Sequence, residues 1–87
     1  MYKVLIVDDD PTFCLMLKSY LGNKGFEVKE VFSAGSALKA AGEQLFDIVL
    51  TDLRLPDFDG IELIDKLKKN NPGVPAILMT RYGDIRS

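Results

Sequence analysis

The sequence contains no histidine and only one cysteine, Cys14. Without an imidazole, the chain cannot build histidine-based metal sites, Ser-His-Asp or Cys-His nucleophilic centres, or a phosphohistidine of its own. A single cysteine cannot form a disulfide within the chain, and its place in an apolar helical stripe predicts a buried thiol in a reducing compartment. The remaining catalytic material is carboxylates, hydroxyls and lysines.

Long apolar runs and strong charge are also lacking. No apolar run approaches the roughly 18–20 residues that span a bilayer. The first run, Val4 to Val7, ends at an acidic triplet, which is typical of a strand and not of an export signal. A formal net charge of −2 argues against an electrostatic nucleic-acid interface. We therefore expect a cytoplasmic domain that contacts neither nucleic acid nor membrane directly.

The 87 residues fit one small domain in which two hydrophobic periodicities alternate. Helical stretches of roughly ten residues separate the strand candidates, which predicts an α/β fold with a parallel sheet and right-handed crossovers. The second strand is less apolar than the others and is expected at an edge. The predicted strands are residues 3–7, 26–31, 46–51 and 75–79, and the predicted helices begin at residues 11, 34 and 60.

The helix boundaries carry recognisable signals. Asp10 before Pro11, and Ser33 before the second helix, are typical N-caps. The first helix is predicted to end between Gly22 and Gly25, the second near Gly42 and the third near Asn70. The predicted inner stripe of the first helix consists of Phe13, Cys14, Leu17, Tyr20 and Leu21.

Residues 46–60 form the central stretch of the chain. Ile48 to Leu50 suit a strand buried on both faces, and Asp52 stands where that strand ends. Turn formers follow and lead into the third helix. Among these, we interpret Asp57, Asp59 and Gly60 as turn and cap residues.

Acidic and hydroxyl side chains collect at one predicted edge of the sheet. Asp8 and Asp9 follow the first strand, Asp52 follows the third and Thr80 follows the fourth. Two like charges about 4 Å apart repel by about 4 kcal/mol at an effective dielectric constant near 20, and a divalent cation would cancel this. Oxygen ligands alone favour Mg²⁺ or Mn²⁺. The pattern indicates phosphoryl chemistry, with Asp52 as nucleophile and the Thr80 hydroxyl as donor.

Three sequence runs resemble a known family. They are Val-Leu-Ile-Val-Asp-Asp-Asp at residues 4–10, Val-Leu-Thr-Asp-Leu-Arg-Leu-Pro-Asp-Phe-Asp-Gly at residues 49–60, and Pro-Ala-Ile-Leu-Met-Thr at residues 75–80. Their order and spacing resemble those of the receiver domain of two-component response regulators. Within that family, the motifs are most similar to the receiver domains of nitrogen-regulation-type activators. The resemblance implies a flavodoxin-like open parallel sheet with strand order 2-1-3-4.

The resemblance also implies roles for individual residues. Asp52 matches the phosphoacceptor, and Asp8 and Asp9 match the acidic metal-binding pair. Arg54 matches the residue whose backbone carbonyl completes the metal shell. Thr80 matches the hydroxyl that turns toward the phosphoryl group on activation.

Two departures from the family pattern stand out. The family has a fifth strand carrying a lysine, followed by a last helix, and residues 1–87 contain neither, so this chain is expected to be a C-terminally incomplete receiver domain. Arg81 stands directly after Thr80, where the family usually has a small residue. An apolar fourth strand at the sheet edge predicts a homodimer or swapped assembly through that edge.

The expected function is that of a signalling switch. A sensor histidine kinase or phosphotransfer protein would supply the phosphoryl group, and the output domain lies outside this chain. A phosphorylation-independent interaction module, or an inactive receiver fragment, is the alternative. An aspartate-nucleophile phosphatase is disfavoured because Arg54 stands where those enzymes place a second acid.

Overall fold

Four strands and three helices alternate along the part of the chain that the structure describes. The computed structural model describes residues 2–79. Each strand is joined to the next by one helix, as the sequence predicts. The elements are β1 Lys3–Val7, α1 Pro11–Asn23, β2 Glu27–Val31, α2 Ala34–Glu43, β3 Ile48–Asp52, α3 Gly60–Asn70 and β4 Ala76–Met79.

The strands form one parallel sheet in the order β2-β1-β3-β4, which confirms the predicted topology and the edge position of β2. In this register Val7, the last residue of β1, pairs with Val31 on one side and Thr51 on the other. Asp52 pairs with Met79 of β4. The carboxyl ends of β1, β3 and β4 therefore meet along a single edge, where open parallel sheets bind ligands.

The two faces of the sheet are covered unequally. Helices α2 and α3 pack on one face, and fully burying a side chain the size of Leu63 stabilises the fold by roughly 1.5–3 kcal/mol. The small residues of α2 let it lie close to the strands. The buried residues of this larger core are Leu5, Val7, Val31, Ala34, Ala37, Ala40, Phe46, Val49, Leu63, Leu67 and Val74.

On the opposite face, among the described residues, α1 packs over Val4 and Ile6 of β1 through the buried Cys14. Ile48 and Leu50 of β3 point to this face and are only partly buried. Within residues 2–79 this face of the third strand is therefore only partly buried, less than the sequence predicts. Because both crossover helices α2 and α3 lie on the other side, nothing among residues 2–79 covers this side of β3 fully.

The prediction that Tyr20 belongs to the inner stripe of α1 is wrong. Tyr20 is 59% exposed, whereas Cys14 is fully buried with Leu17 and Leu21 packed beside it. At 3.6 residues per turn, Tyr20 lies about 120° around the helix from Cys14. Its ring instead lies 5.4 Å from the ammonium of Lys24.

The predicted caps are confirmed. The Asp10 carboxylate accepts hydrogen bonds from the backbone N–H groups of Thr12 and Phe13 at 3.0 and 3.2 Å. Ser33 Oγ accepts from the Ser36 N–H at 3.2 Å. The turn after α1 contains Gly25 at φ 96°, a left-handed backbone conformation that glycine adopts without a Cβ clash.

The β4 edge is open within residues 2–79, where β4 pairs with β3 alone. Ile77 on this strand is 50% exposed. None of the helices in this part of the chain is long and apolar enough to cross a membrane.

Candidate functional site

Asp8 stands directly after the buried strand β1 and is itself fully buried. Its backbone N–H donates to the Val31 carbonyl at 3.1 Å, which continues the pairing of β1 with β2. Its carboxylate Oδ1 accepts from the Asp10 N–H at 2.9 Å, and its carbonyl accepts from the Cys14 thiol at 3.3 Å. Strand, turn and helix therefore fix both the backbone and the side chain of Asp8.

Asp52 is the last residue of β3 and is half-buried. Its carboxylate Oδ1 accepts from the N–H of Leu53 at 2.9 Å. Its carbonyl accepts from the Thr51 hydroxyl at 3.0 Å. Because β1 and β3 are neighbouring parallel strands, Asp52 is delivered to the edge where Asp8 lies.

One carboxylate oxygen from each of Asp8, Asp9 and Asp52 lies within 4.8 Å of the other two. They range from buried Asp8 through half-buried Asp52 to exposed Asp9, so the cluster opens from the sheet edge toward solvent. At 4.8 Å a like-charged pair repels by about 3.5 kcal/mol when the effective dielectric constant is about 20. Such an arrangement favours binding of a cation.

The oxygen-only donor set fits Mg²⁺. Two oxygens bound at about 2.1 Å to one octahedral Mg²⁺ lie about 3.0 Å apart when adjacent and about 4.2 Å apart when opposite, so shifts of about 1 Å in each carboxylate would bring all three to that ion. Mg²⁺ usually keeps several waters, so exposed Asp9 suits either direct or water-mediated contact. The described residues at this site offer neither thiolate nor imidazole, which disfavours zinc.

Arg54 and Thr80 are the other two predicted site residues. Arg54 lies two residues after Asp52, in the loop between β3 and α3, with an exposed side chain. Thr80 and its neighbour Arg81 lie outside the described residues. The last described residue of β4, Met79, is the register partner of Asp52, so β4 leads to the edge where the acids cluster.

Sequence reasoning missed the contact that Asp57 makes. Its carboxylate accepts from the N–H groups of Ala34 and Gly35 at 2.9 and 2.8 Å, at the start of α2. Hydrogen bonds from Gly35 and then Ala34 lower the pKa of Asp57 from its ordinary value. Asp59, by contrast, is a local cap as predicted, and accepts from the Glu62 N–H at 2.8 Å. Asp57 and Asp59 lie in the same turn-forming segment of the sequence, so only the tertiary structure shows that they cap different helices.

Gly60 also has a role beyond the predicted turn. Its N–H donates to the Leu53 carbonyl at 2.7 Å and closes the base of the loop. A Cβ at this position would overlap the backbone carbonyl of Asp52 and lie 2.8 Å from Leu78 Cδ1. The absence of a side chain lets α3 start directly against the end of β3.

Comparison with known proteins identifies the family. The family model described as response regulator receiver domain matches residues 4–87. The chain belongs to the response regulator receiver domain family. Receiver domains are the phosphoacceptor switches of two-component phosphorelay signalling, which agrees with an acidic cluster at the carboxyl edge of the sheet.

Relatives of this receiver domain include a transcriptional regulator. The transcriptional regulatory protein ZraR of Escherichia coli K12 is 37% identical over 84 residues, which are 97% of this chain and 19% of ZraR. The receiver domain thus spans about a fifth of that relative's length.

Solved structures show the same fold. Response regulator protein TrrA from Thermotoga maritima, in complex with Mg(2+)-BeF, superposes with a TM-score of 0.91 at 30% identity, covering 99% of this chain and 75% of that one. A chain from the complex of histidine kinase ThkA with TrrA gives a TM-score of 0.90 at 31% identity, covering 100% of this chain and 75% of that one.

Proposed function

We propose that this receiver domain accepts a phosphoryl group on Asp52 from a sensor histidine kinase or phosphotransfer protein. The observation that carries the proposal is the convergence of the Asp8, Asp9 and Asp52 carboxylates within 4.8 Å at the carboxyl edge of the sheet. The complex of TrrA with histidine kinase ThkA supports the class of partner.

In the proposed reaction an Asp52 carboxylate oxygen attacks the phosphorus of a phosphohistidine. The new bond is an acyl phosphate, the phosphorus–nitrogen bond breaks, and the imidazole nitrogen leaves with the electron pair. The N–H of Leu53, which donates to Asp52 Oδ1, orients the carboxylate. Thr80 supplies the switch hydroxyl in this proposal, as the family resemblance implies.

Asp8, Asp9, Asp52 and the backbone carbonyl of Arg54 are the residues that would hold Mg²⁺ or Mn²⁺. When bound, the cation neutralises negative charge on the transferring group. The Mg(2+)-BeF complex of TrrA supports this assignment. Asp8 would be the most deeply buried of these ligands, and its backbone and side chain are both hydrogen-bonded in the fold.

The remaining partners follow from the relatives. ZraR is named a transcriptional regulatory protein, and we propose that phosphorylation here likewise controls an output domain outside residues 1–87. We further propose that the receiver domain is cytoplasmic and does not contact nucleic acid or membrane directly. The domain acts as a switch and not as a turnover enzyme.

Intact mass spectrometry after incubation with acetyl phosphate and Mg²⁺ tests the phosphoacceptor. We expect the wild-type chain to gain the mass of one phosphoryl group and Asp52→Asn to gain none. Asp65→Asn, which changes an exposed acid on α3, is the matched control and should be modified like the wild type. A wild-type chain that gains no mass would favour a phosphorylation-independent interaction module.

We also propose pairing between two copies along the β4 edge. The support is an apolar strand that pairs on one side only within residues 2–79, with Ile77 half exposed. Sedimentation velocity should show a concentration-dependent dimer that Ile77→Lys abolishes, since a charge on an edge strand opposes pairing. A folded wild-type monomer at high concentration would rule this assembly out.

A further inference from the structure

The carboxylate of Asp57 connects two segments that are distant in sequence. It accepts from the N–H groups of Ala34 and Gly35 at 2.9 and 2.8 Å, and also from the N–H of Phe58 at 3.1 Å. The first two donors belong to the first turn of α2, where backbone N–H groups have no partner within the helix. A negative charge is favourable there because the helix dipole is positive at this end.

Helix α2 already has a local cap. Ser33 is its N-cap, and its hydroxyl accepts from the Ser36 N–H. Asp57 therefore adds a contact beyond the ordinary cap, and this contact crosses from the β3–α3 loop to the helix. A Cβ built on Gly35 would lie 3.2 Å from Asp57 Oδ2, so a side chain at that position would push the carboxylate back by a few tenths of an ångström.

The same loop carries the Arg54 carbonyl and begins at the proposed phosphoacceptor. Its base is closed by the hydrogen bond from the Gly60 N–H to the Leu53 carbonyl, and its first N–H, that of Leu53, donates to the Asp52 carboxylate. Arg54 lies between this closed base and the contact made by Asp57. A loop fixed at both points has little freedom to move the Arg54 carbonyl.

We propose that Asp57 is a positioning residue for the magnesium site, holding the loop that carries the Arg54 carbonyl against α2. The inference rests on the proposed function, since it assigns the geometry of the same site. Asp57 does not touch the metal in this scheme. It acts through the backbone of residues 53–59 and reduces the conformational entropy lost when the ion binds.

The test compares Mg²⁺ affinity in Asp57→Ala, Asp57→Asn and Ser33→Ala. Ser33→Ala is the matched control, because it also removes a cap from the start of α2 and leaves the loop contact in place. Binding of Mg²⁺ alone is followed by backbone amide NMR shifts at a temperature where circular dichroism shows each variant to be folded. Amide hydrogen exchange of residues 53–60 without metal gives a second, metal-independent readout.

We expect Asp57→Ala to weaken Mg²⁺ binding by of the order of tenfold, the low end of what outer-shell partners contribute. Asp57→Asn should be intermediate, since its one carbonyl oxygen replaces part of the contact. Ser33→Ala should bind Mg²⁺ like the wild type even though its melting temperature falls. Exchange across residues 53–60 should accelerate only in the Asp57 variants.

Equal Mg²⁺ affinities in the wild type, Asp57→Asn and Ser33→Ala would overturn the inference while leaving the proposed function intact. A wild-type chain that binds no Mg²⁺ would overturn the proposed function, and the inference with it. If Asp57→Ala does not fold, Asp57→Asn decides the question.

Discussion

Replacing Gly60 with alanine should damage the fold and the acidic site together. Gly60 is buried at the first position of α3, and an added Cβ would overlap the Asp52 carbonyl and crowd Leu78. The Asp52 carbonyl belongs to the backbone of a central strand, so it cannot rotate away as a flexible side chain would. The start of α3 must therefore move outward, which weakens the hydrogen bond from the Gly60 N–H to the Leu53 carbonyl.

Three contributions determine how much Gly60→Ala lowers the free energy of unfolding. Overpacking a buried site destabilises by about 1–3 kcal/mol, and weakening one backbone hydrogen bond adds up to about 1 kcal/mol. Removing a glycine from the unfolded chain offsets about 0.5–1 kcal/mol. We expect a net loss of about 2 kcal/mol, which lowers the melting temperature of a domain of this size by roughly 8–16 °C.

Gly42→Ala is the matched control for this prediction. The chemical change is identical and also lies within a helix, but a Cβ at Gly42 meets no atom within 4 Å. This variant should be more stable than the wild type by about 0.5–1 kcal/mol. Thermal unfolding followed by circular dichroism measures both. Melting temperatures that shift in the same direction and by similar amounts would refute the close-approach argument.

Three further predictions concern the site and its surroundings. Mg²⁺ should raise the melting temperature of the wild type and raise that of Asp52→Asn much less. Without Mg²⁺, Asp52→Asn should be more stable than the wild type because one repelling charge is gone. Equal effects of Mg²⁺ on the two melting temperatures would contradict the cation site. Hydrogen bonds from Gly35 and Ala34 lower the pKa of Asp57, so ionised Asp57 stabilises the folded protein above the ordinary aspartate pKa, and this stabilisation is lost as the pH falls below about 4. The unfolding midpoint of Asp57→Asn should therefore vary less with pH over this range than that of the wild type. Parallel pH profiles of the two proteins would contradict this role of Asp57. The Cys14 thiol is fully buried, so its labelling by a thiol reagent should follow the rate of unfolding, and rapid labelling under native conditions would show that α1 opens locally.

The fold was predictable because local patterns agree with it. Strand and helix periodicities alternate, and short crossovers leave a parallel sheet as the main solution. The position of Asp52 after an apolar strand then placed it at the same edge as Asp8. The convergence of Asp8, Asp9 and Asp52 follows from the position of these acids at strand ends together with the parallel order of β1 and β3.

The sequence was least informative where distant segments meet. Asp57 and Asp59 both read as turn or cap residues, but only Asp57 reaches across to α2, a contact that depends on how the helix is placed. Tyr20 is apolar enough to suit the inner stripe of α1, yet the angular position of Cys14 turns it outward. Partial burial of Ile48 and Leu50 depends on which helices cover which face, which strand periodicity does not specify.

The central position of β1 has a consequence for synthesis of the chain. Both strands that flank it, β2 and β3, come later in the sequence, so the nascent polypeptide displays an unpaired, strongly apolar segment well before either neighbour has left the ribosome. The first product that can shield β1 on both sides contains residues up to Asp52. Ribosome-bound chains from which β3 has not yet emerged should recruit hydrophobic-segment chaperones, and chains from which β3 has emerged should release them.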